Sequence, residues 1–415
     1  MHRTKKWSVL AGVLAAGIAL AGCSSNSAAV SGDPMKLPPK GTTTTINIWG
    51  YLAPDTTPWL GDAEAALHKD FPNVSVKYTY VPYDQIAAKV LGTTVSGGAP
   101  DAIIYNPADA ANLSQSGALM DMSAQWSAFA DKDKFPDSVV WKDGGKTVSV
   151  QGYVNTTALY YNKDILDRLG VTPPRTVADL DTALAAASKA GVGGMTMTAV
   201  PTAESEFQIF PWLLGNGQNY GSWDEKTVAD TFARFTARID KGYIPKDVVG
   251  WSQGDAFDQF KSGKFAFSQN GNWQLVGAKG LPFKWGVVPL PAGTEGSHSV
   301  GGGEGFSLGA KTKNAALTWK YFENSLLNKD FELHILSLQG SIPTRSDASS
   351  APEIKSDPSL AVFAQVVADM KARPSTPKIG DYLVQMGKIW NSVAGGQTSP
   401  ADGAKQVVNQ LNNVR

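Results

Sequence analysis

Glu204 and Glu206, two residues apart, are the carboxylate pair in this sequence most open to a catalytic reading. Paired acids flanking a glycosidic bond are what glycoside hydrolysis requires. On a strand, side chains at that spacing point the same way instead of flanking a bond, and nothing nearby marks a raised pKa. There is no Gly-x-Ser-x-Gly elbow, and Gly263-Lys264 lacks both the spacing and the following Ser or Thr of a phosphate loop. His2, His68, His298 and His334 are the only histidines, and none has metal-ligand spacing. Cys23 is the only cysteine, which excludes an intramolecular disulfide or a cysteine-based metal cluster. The expectation is a protein that binds without reacting, with no cofactor and no metal.

Binding chemistry is concentrated between Gly97 and Gly117. Ala102, Ile103 and Ile104 form an apolar run suited to a strand buried on both faces. The run switches to Tyr105 and Asn106, and Pro107 then opens an Ala-rich helix carrying Asp109. In open α/β sheets ligands sit outside the carboxyl ends of strands, so this is a candidate ligand-facing edge. Taken alone it also reads as a buried strand followed by an ordinary turn. Asp101, at the start of the strand, is expected to hold the loop.

The elements that must position such an edge are set by a chain of 415 residues, enough for roughly 2–3 domains. Hydrophobic residues at 42% and charged residues at 18% allow a large core. Lys+Arg and Asp+Glu are both 37, a balance that argues against a nucleic-acid partner, whose binding needs clustered basic charge. His2, Arg3, Lys5 and Lys6 precede an apolar segment from Trp7 to Leu20, too short for a membrane span. Leu20-Ala21-Gly22-Cys23 follows and resembles the bacterial lipobox. That resemblance implies a signal peptide over residues 1–22 and lipidation of Cys23. Several acyl chains on one residue would anchor the chain stably to a membrane. Residues 23–44, rich in Ser, Gly, Pro, Thr and Ala, read as a flexible tether. The expected location is extracytoplasmic, at the cell membrane.

The folded part begins with the strand Thr45–Gly50. A helix near Trp59–Phe71, the strand Val74–Tyr80 and a helix over Tyr83–Val95 lead to the stretch at Gly97. Strand–helix alternation of this kind implies a parallel sheet. Further strands are expected at Thr147–Tyr153, Leu159–Asn162, Met195–Ala199, Lys264–Gln269, Phe283–Pro289 and Phe306–Gly309. Thr176 to Asp179 has the pattern of a helix N-cap.

Ile46-Asn47-Ile48-Trp49, Phe71-Pro72-Asn73-Val74, Gly98-Ala99-Pro100-Asp101 and Leu159-Tyr160-Tyr161-Asn162-Lys163-Asp164 occur in that order. Phe260 to Trp273, Val288-Pro289-Leu290-Pro291 and Gly340-Ser341-Ile342-Pro343 follow. Together they resemble extracellular solute-binding protein family 1, the family of ABC-importer receptors that includes maltose-binding protein. The resemblance implies an α/β, two-lobed periplasmic-binding-protein fold of type II, each lobe a mixed sheet flanked by helices. One lobe would comprise residues 45–153 with 304–343, the other 156–301 with 346–415. The hinge would be crossed near Tyr153–Asn155, Gly301–Gly303 and Pro343–Ser346.

The implied function is capture of a neutral sugar or oligosaccharide between the lobes and its delivery to ABC permease subunits by a monomer anchored at Cys23. The alternatives are a secreted carbohydrate-processing enzyme, or a receptor for another polar solute such as a glycerophosphodiester or polyamine. Sugars need aromatic plates for C–H faces and polar groups for hydroxyl rims. Tyr105 stands where the family places a stacking tryptophan, with Asn106 and Asp109 in the same turn, and Trp273 matches the aromatic of a Gly-x-Trp turn. Tyr382 aligns with a C-terminal plate or belongs to the core. Glu206 and Phe207 fall where relatives contact sugar. Asn155 replaces a carboxylate found in many relatives, which argues against a maltose-like ligand. Glu304 is either a hydroxyl acceptor or an exposed loop charge. Trp49, Tyr153, Trp212 and Trp251 are expected in the core, and Arg345 is expected to tie a hinge strand.

Overall fold

The computed structural model describes residues 36–412 except 84, 372, 374 and 375. The expected signal peptide, Cys23 and the first part of the tether lie outside the described residues.

Strand β1 (Thr44–Gly50) buries Ile46 and Ile48, and β2 (Val74–Tyr80) pairs with it in parallel after the helix Trp59–His68. All four residues of β3 (Ala102–Tyr105) are buried, as its apolar run requires. A hairpin, β4 (Val140–Asp143) and β5 (Lys146–Gln151), is followed by the two-residue β6 (Tyr153–Val154). Next come β7 (Thr157–Asn162), β8 (Gly193–Thr196), β9 (Phe265–Gly271) and β10 (Trp285–Val288). The last two are β11 (Gly305–Leu308) and β12 (Ile342–Pro343).

Two mixed sheets result, in the orders β2-β1-β3-β11-β5-β4 and β10-β7-β9-β8. Returning late in the chain, β11 inserts antiparallel between β3 and β5. Around the first sheet the core holds Ile48, Trp59, Ile104 and Phe306, with Phe306 stacked on Phe322 at 3.8 Å. Around the second it holds Leu180, Phe210, Phe232 and Trp390 from helices that include Ala203–Leu214 and Ile379–Ala394. The helix Val177–Lys189 is capped by a reciprocal box between Thr176 and Asp179, as its sequence requires.

Between the sheets β6 and β12 pair antiparallel, Val154 with Ile342 and Tyr153 with Pro343, and Asn155 bridges Gly302. The three stretches expected to cross the hinge thus lie side by side. Asn272, just after β9, ties the first of them to Gly340. Its Oδ1 accepts from the Thr156 amide at 2.8 Å, and its Nδ2 donates to Asn155 Oδ1 and to the Gly340 carbonyl, both at 2.9 Å. Arg345 is buried, donates to the Leu327 carbonyl at 2.8 Å and forms ion pairs with Asp131 and Asp347. Asp101 holds its loop, accepting from the Asn47 amide at 2.8 Å. The architecture is the two-lobed α/β fold with a multiply crossed hinge.

Candidate functional site

A cleft of about 560 Å³ opens beside the hinge, within the range of small-molecule sites. Residues from both sheets' surroundings line it: Tyr51, Tyr83 and Asn106 on one side, Glu204, Phe207 and Trp273 on the other, with Asn155, Gly302, Gly303 and Glu304 at the base.

Tyr51 follows Gly50 at the carboxyl end of β1, and its ring meets Tyr83 edge-on at 4.9 Å and 84°. Asn106 begins a short 3-10 helix; its Oδ1 accepts from the Ala108 amide and its Nδ2 donates to the Tyr83 hydroxyl, both at 3.0 Å. Capping therefore fixes which end of the amide faces the cleft.

Glu304 sits at the base because Gly303, at φ +103°, turns the chain into β11. A Cβ at Gly303 would lie 2.3 Å from the Tyr153 carbonyl oxygen, a contact only glycine avoids. The Glu304 carboxylate accepts from Tyr51 Oη at 2.6 Å. Burial pushes its pKa up, against the pull of that hydrogen bond. Asn155 turns its Nδ2 to Glu304 at 3.5 Å while its Oδ1 accepts from Asn272 and from Ser341 Oγ at 2.8 Å. Tyr153 is buried, as expected, yet also lines the cleft.

Trp273 is intermediate in burial and folds its ring back over Gly271. A Cβ at Gly271 would sit 2.0 Å from Trp273 Cζ3, so this glycine makes the ring's position possible. Phe207 lies 6.0 Å from Trp273 at an interplanar angle of 31°. Together they make a broad apolar wall.

Glu204 and Glu206 lie on the helix Ala203–Leu214, not on a strand, so about 100° per residue sends them apart. Glu204 accepts from the Gln253 amide at 2.9 Å, and burial pushes its pKa up, a perturbation expected of neither acid. Glu206 is fully buried and holds Arg373 with two hydrogen bonds of 3.1 and 2.6 Å, while Tyr220 Oη donates to it at 3.0 Å. The Arg373 guanidinium lies 5.3 Å from the Phe207 ring centroid.

Three expected site residues lie elsewhere. Tyr105 is fully buried with its hydroxyl 2.8 Å from Ser307 Oγ. Strand alternation puts it beside Ile103, in the cluster with Ile86, Val90 and Leu113, behind the cleft. Asp109 packs against Gly380 at the start of the helix Ile379–Ala394. Its pKa is pushed up to about 6 by burial and by Asp381. Tyr382 is buried and stacked on Tyr220, centroids 6.4 Å apart at 15°. Asn106, Asn155, Glu206, Phe207, Trp273 and Glu304 are brought together.

Tyr51, Tyr83 and Arg373 were not anticipated. Tyr51 had a signal, since it follows the carboxyl end of β1 as Asn106 follows β3. Arg373 stands in a stretch of sequence with no pattern to mark it. Among the described residues no cluster of His, Cys, Asp or Glu could hold a metal, and no helix is long and apolar enough to cross a membrane.

Residues 63–362 match the model of a family described as bacterial extracellular solute-binding protein. The chain is 24% identical over 404 residues to a maltooligosaccharide ABC transporter solute-binding lipoprotein of Streptococcus pneumoniae, covering 93% of this chain and 90% of that protein. It is 25% identical over 338 residues to the maltodextrin-binding protein MdxE of Bacillus subtilis, covering 76% and 78%. Among solved structures, the GacH receptor of Streptomyces glaucescens superimposes with a TM-score of 0.78 at 23% identity, covering 90% of this chain and all (100%) of that one. Maltose-bound MalE3 of T. maritima gives 0.79 at 20%, covering 89% and 99%. With a family match across most of its length and the same two-lobed fold, this chain belongs to the bacterial extracellular solute-binding protein family.

Proposed function

We propose that the protein captures a neutral sugar or oligosaccharide in the cleft and hands it to an ABC permease, held outside the cytoplasm by lipid on Cys23. The observation that carries this reading is the pairing in one cleft of an apolar aromatic wall, Phe207 with Trp273, and a polar base, Glu304 with Asn155. Sugar rings offer an apolar C–H face and a rim of hydroxyls, and such a site addresses both. Relatives described as binding maltooligosaccharide and maltodextrin support the same substrate class. Anchoring and delivery rest on the lipobox-like Leu20-Ala21-Gly22-Cys23 and on family membership.

Ligand contacts from both lobes favour closure only by being stronger in the closed state. Titration of the mature protein with glucose, maltose, maltotriose and longer maltodextrins, followed by tryptophan fluorescence and melting temperature, tests the proposal. Saturable shifts with unchanged sugar are expected. Product formation would establish a processing enzyme. Silence here with shifts on glycerophosphodiesters or polyamines would replace the sugar by another polar solute.

A further inference from the structure

We infer that the Glu206–Arg373 pair makes the cleft selective against acidic ligands, with Arg373 as a donor to neutral hydroxyls; this rests on the saccharide reading above. Among the described residues lining the cleft, Arg373 is the only base, whereas Glu204, Glu206 and Glu304 are acids. An anion entering the cleft would therefore have one cation to address. That cation is already engaged. Nε and Nη2 of Arg373 donate to the two oxygens of Glu206 at 3.1 and 2.6 Å, and Nη1 donates to the Gly301 carbonyl at 2.7 Å.

The charge is cancelled where it cannot be reopened cheaply. Glu206 has no exposed side-chain surface and is held also by Tyr220 Oη, while the Arg373 side chain is 8% exposed. A ligand carboxylate or phosphate would have to displace a buried carboxylate or sit beside it, a like-charge contact weakly screened at such a site. A guanidinium carries five N–H donors, and three are used within the protein. The remaining two have no partner among the described residues. They are charge-assisted donors suited to neutral oxygens such as sugar hydroxyls. Arg373 also covers Phe207, so the same side chain fixes one plate of the aromatic wall.

Glu206→Gln leaves Arg373 uncompensated and tests the inference directly. The probes are maltotriose and the same trisaccharide oxidised to the uronate on its terminal ring, titrated calorimetrically at pH 7. Wild type is expected to bind the neutral trisaccharide at least tenfold more tightly than the acid. In Glu206→Gln that ratio should shift at least tenfold towards the acid, and in the uncharged double variant Glu206→Gln/Arg373→Gln the shift should disappear. An unchanged ratio in Glu206→Gln overturns the inference while leaving the saccharide reading intact. So does wild type binding both probes equally, a measurement that needs no variant to fold. Wild type binding neither trisaccharide would overturn the maltooligosaccharide form of the saccharide reading and the inference with it.

Discussion

At the scale of single residues, the plate in the cleft depends on a glycine as much as on a tryptophan. Trp273 can lie over Gly271 only while that residue has no Cβ. Burying an aromatic side chain contributes about 2 kcal/mol, so Trp273→Ala should weaken saccharide binding by roughly thirtyfold. Gly271→Ala should approach the same loss with every ligand-contacting side chain retained, because the ring must leave its position. Calorimetric titration of both variants is the check; full affinity in Gly271→Ala would show that the ring's position is immaterial. Trp273 was legible because a turn glycine and an aromatic follow a strand. Tyr105 misled because a four-residue strand buried on both faces gives no sign of which face its last residue takes. The cleft-lining side chains lie one step later, in the loops, where Asn106 and Tyr51 are found. Arg373 was illegible, since nothing in the sequence around it announces a partner 167 positions away.

At the scale of elements, strands and caps were largely readable. Apolar runs marked β3, β9 and β11, and Thr176 with Asp179 marked a helix start. The pairing of β6 with β12 was not, because two-residue strands carry no periodicity. The helix Lys329–Gln339 supports that junction through Glu332, which accepts from Thr344 Oγ1 at 2.9 Å and from the Arg345 amide at 3.1 Å. Burial pushes the pKa of Glu332 up from 4.5 to about 8 against those hydrogen bonds. A carboxyl whose pKa is raised by folding contributes stability that is complete below its unfolded value and is lost as pH rises through the folded one. Wild-type stability should therefore fall between about pH 4.5 and 8 and level off above. Glu332→Gln can keep both contacts, accepting from Arg345 and donating to Thr344, whose single hydroxyl hydrogen then turns to the Gln151 carbonyl 3.2 Å away. That variant should flatten the slope and exceed wild type in stability above pH 8. Urea denaturation across pH decides it, and parallel slopes would remove Glu332 as the source.

At the scale of the whole molecule, Pro107–Asp109 links the two halves beyond the cleft. This segment follows β3 in the first sheet, yet Ala108 packs into the core around the second sheet and Asp109 against Gly380. Such a contact is made in one relative position of the lobes and lost in another, so it biases closure without touching ligand. A Cβ at Gly380 would come 2.1 Å from Asp109 Oδ1, an overlap with a side-chain end that alanine could relieve by turning Asp109 aside and that a branched residue relieves less easily. Gly380→Val should therefore wedge the lobes apart. Gly380 does not line the cleft, so a loss of affinity that comes with changed dimensions acts through the open–closed equilibrium. If the closed state becomes tenfold rarer among unliganded molecules, apparent affinity falls by up to the same factor. Small-angle scattering should show a larger radius of gyration for unliganded Gly380→Val than for wild type, with part of the difference removed at saturating saccharide. Wild-type affinity and wild-type dimensions in this variant would mean that the Asp109–Gly380 contact does not restrain the lobes. Lower affinity with unchanged dimensions would trace the effect to the helix Ile379–Ala394 itself.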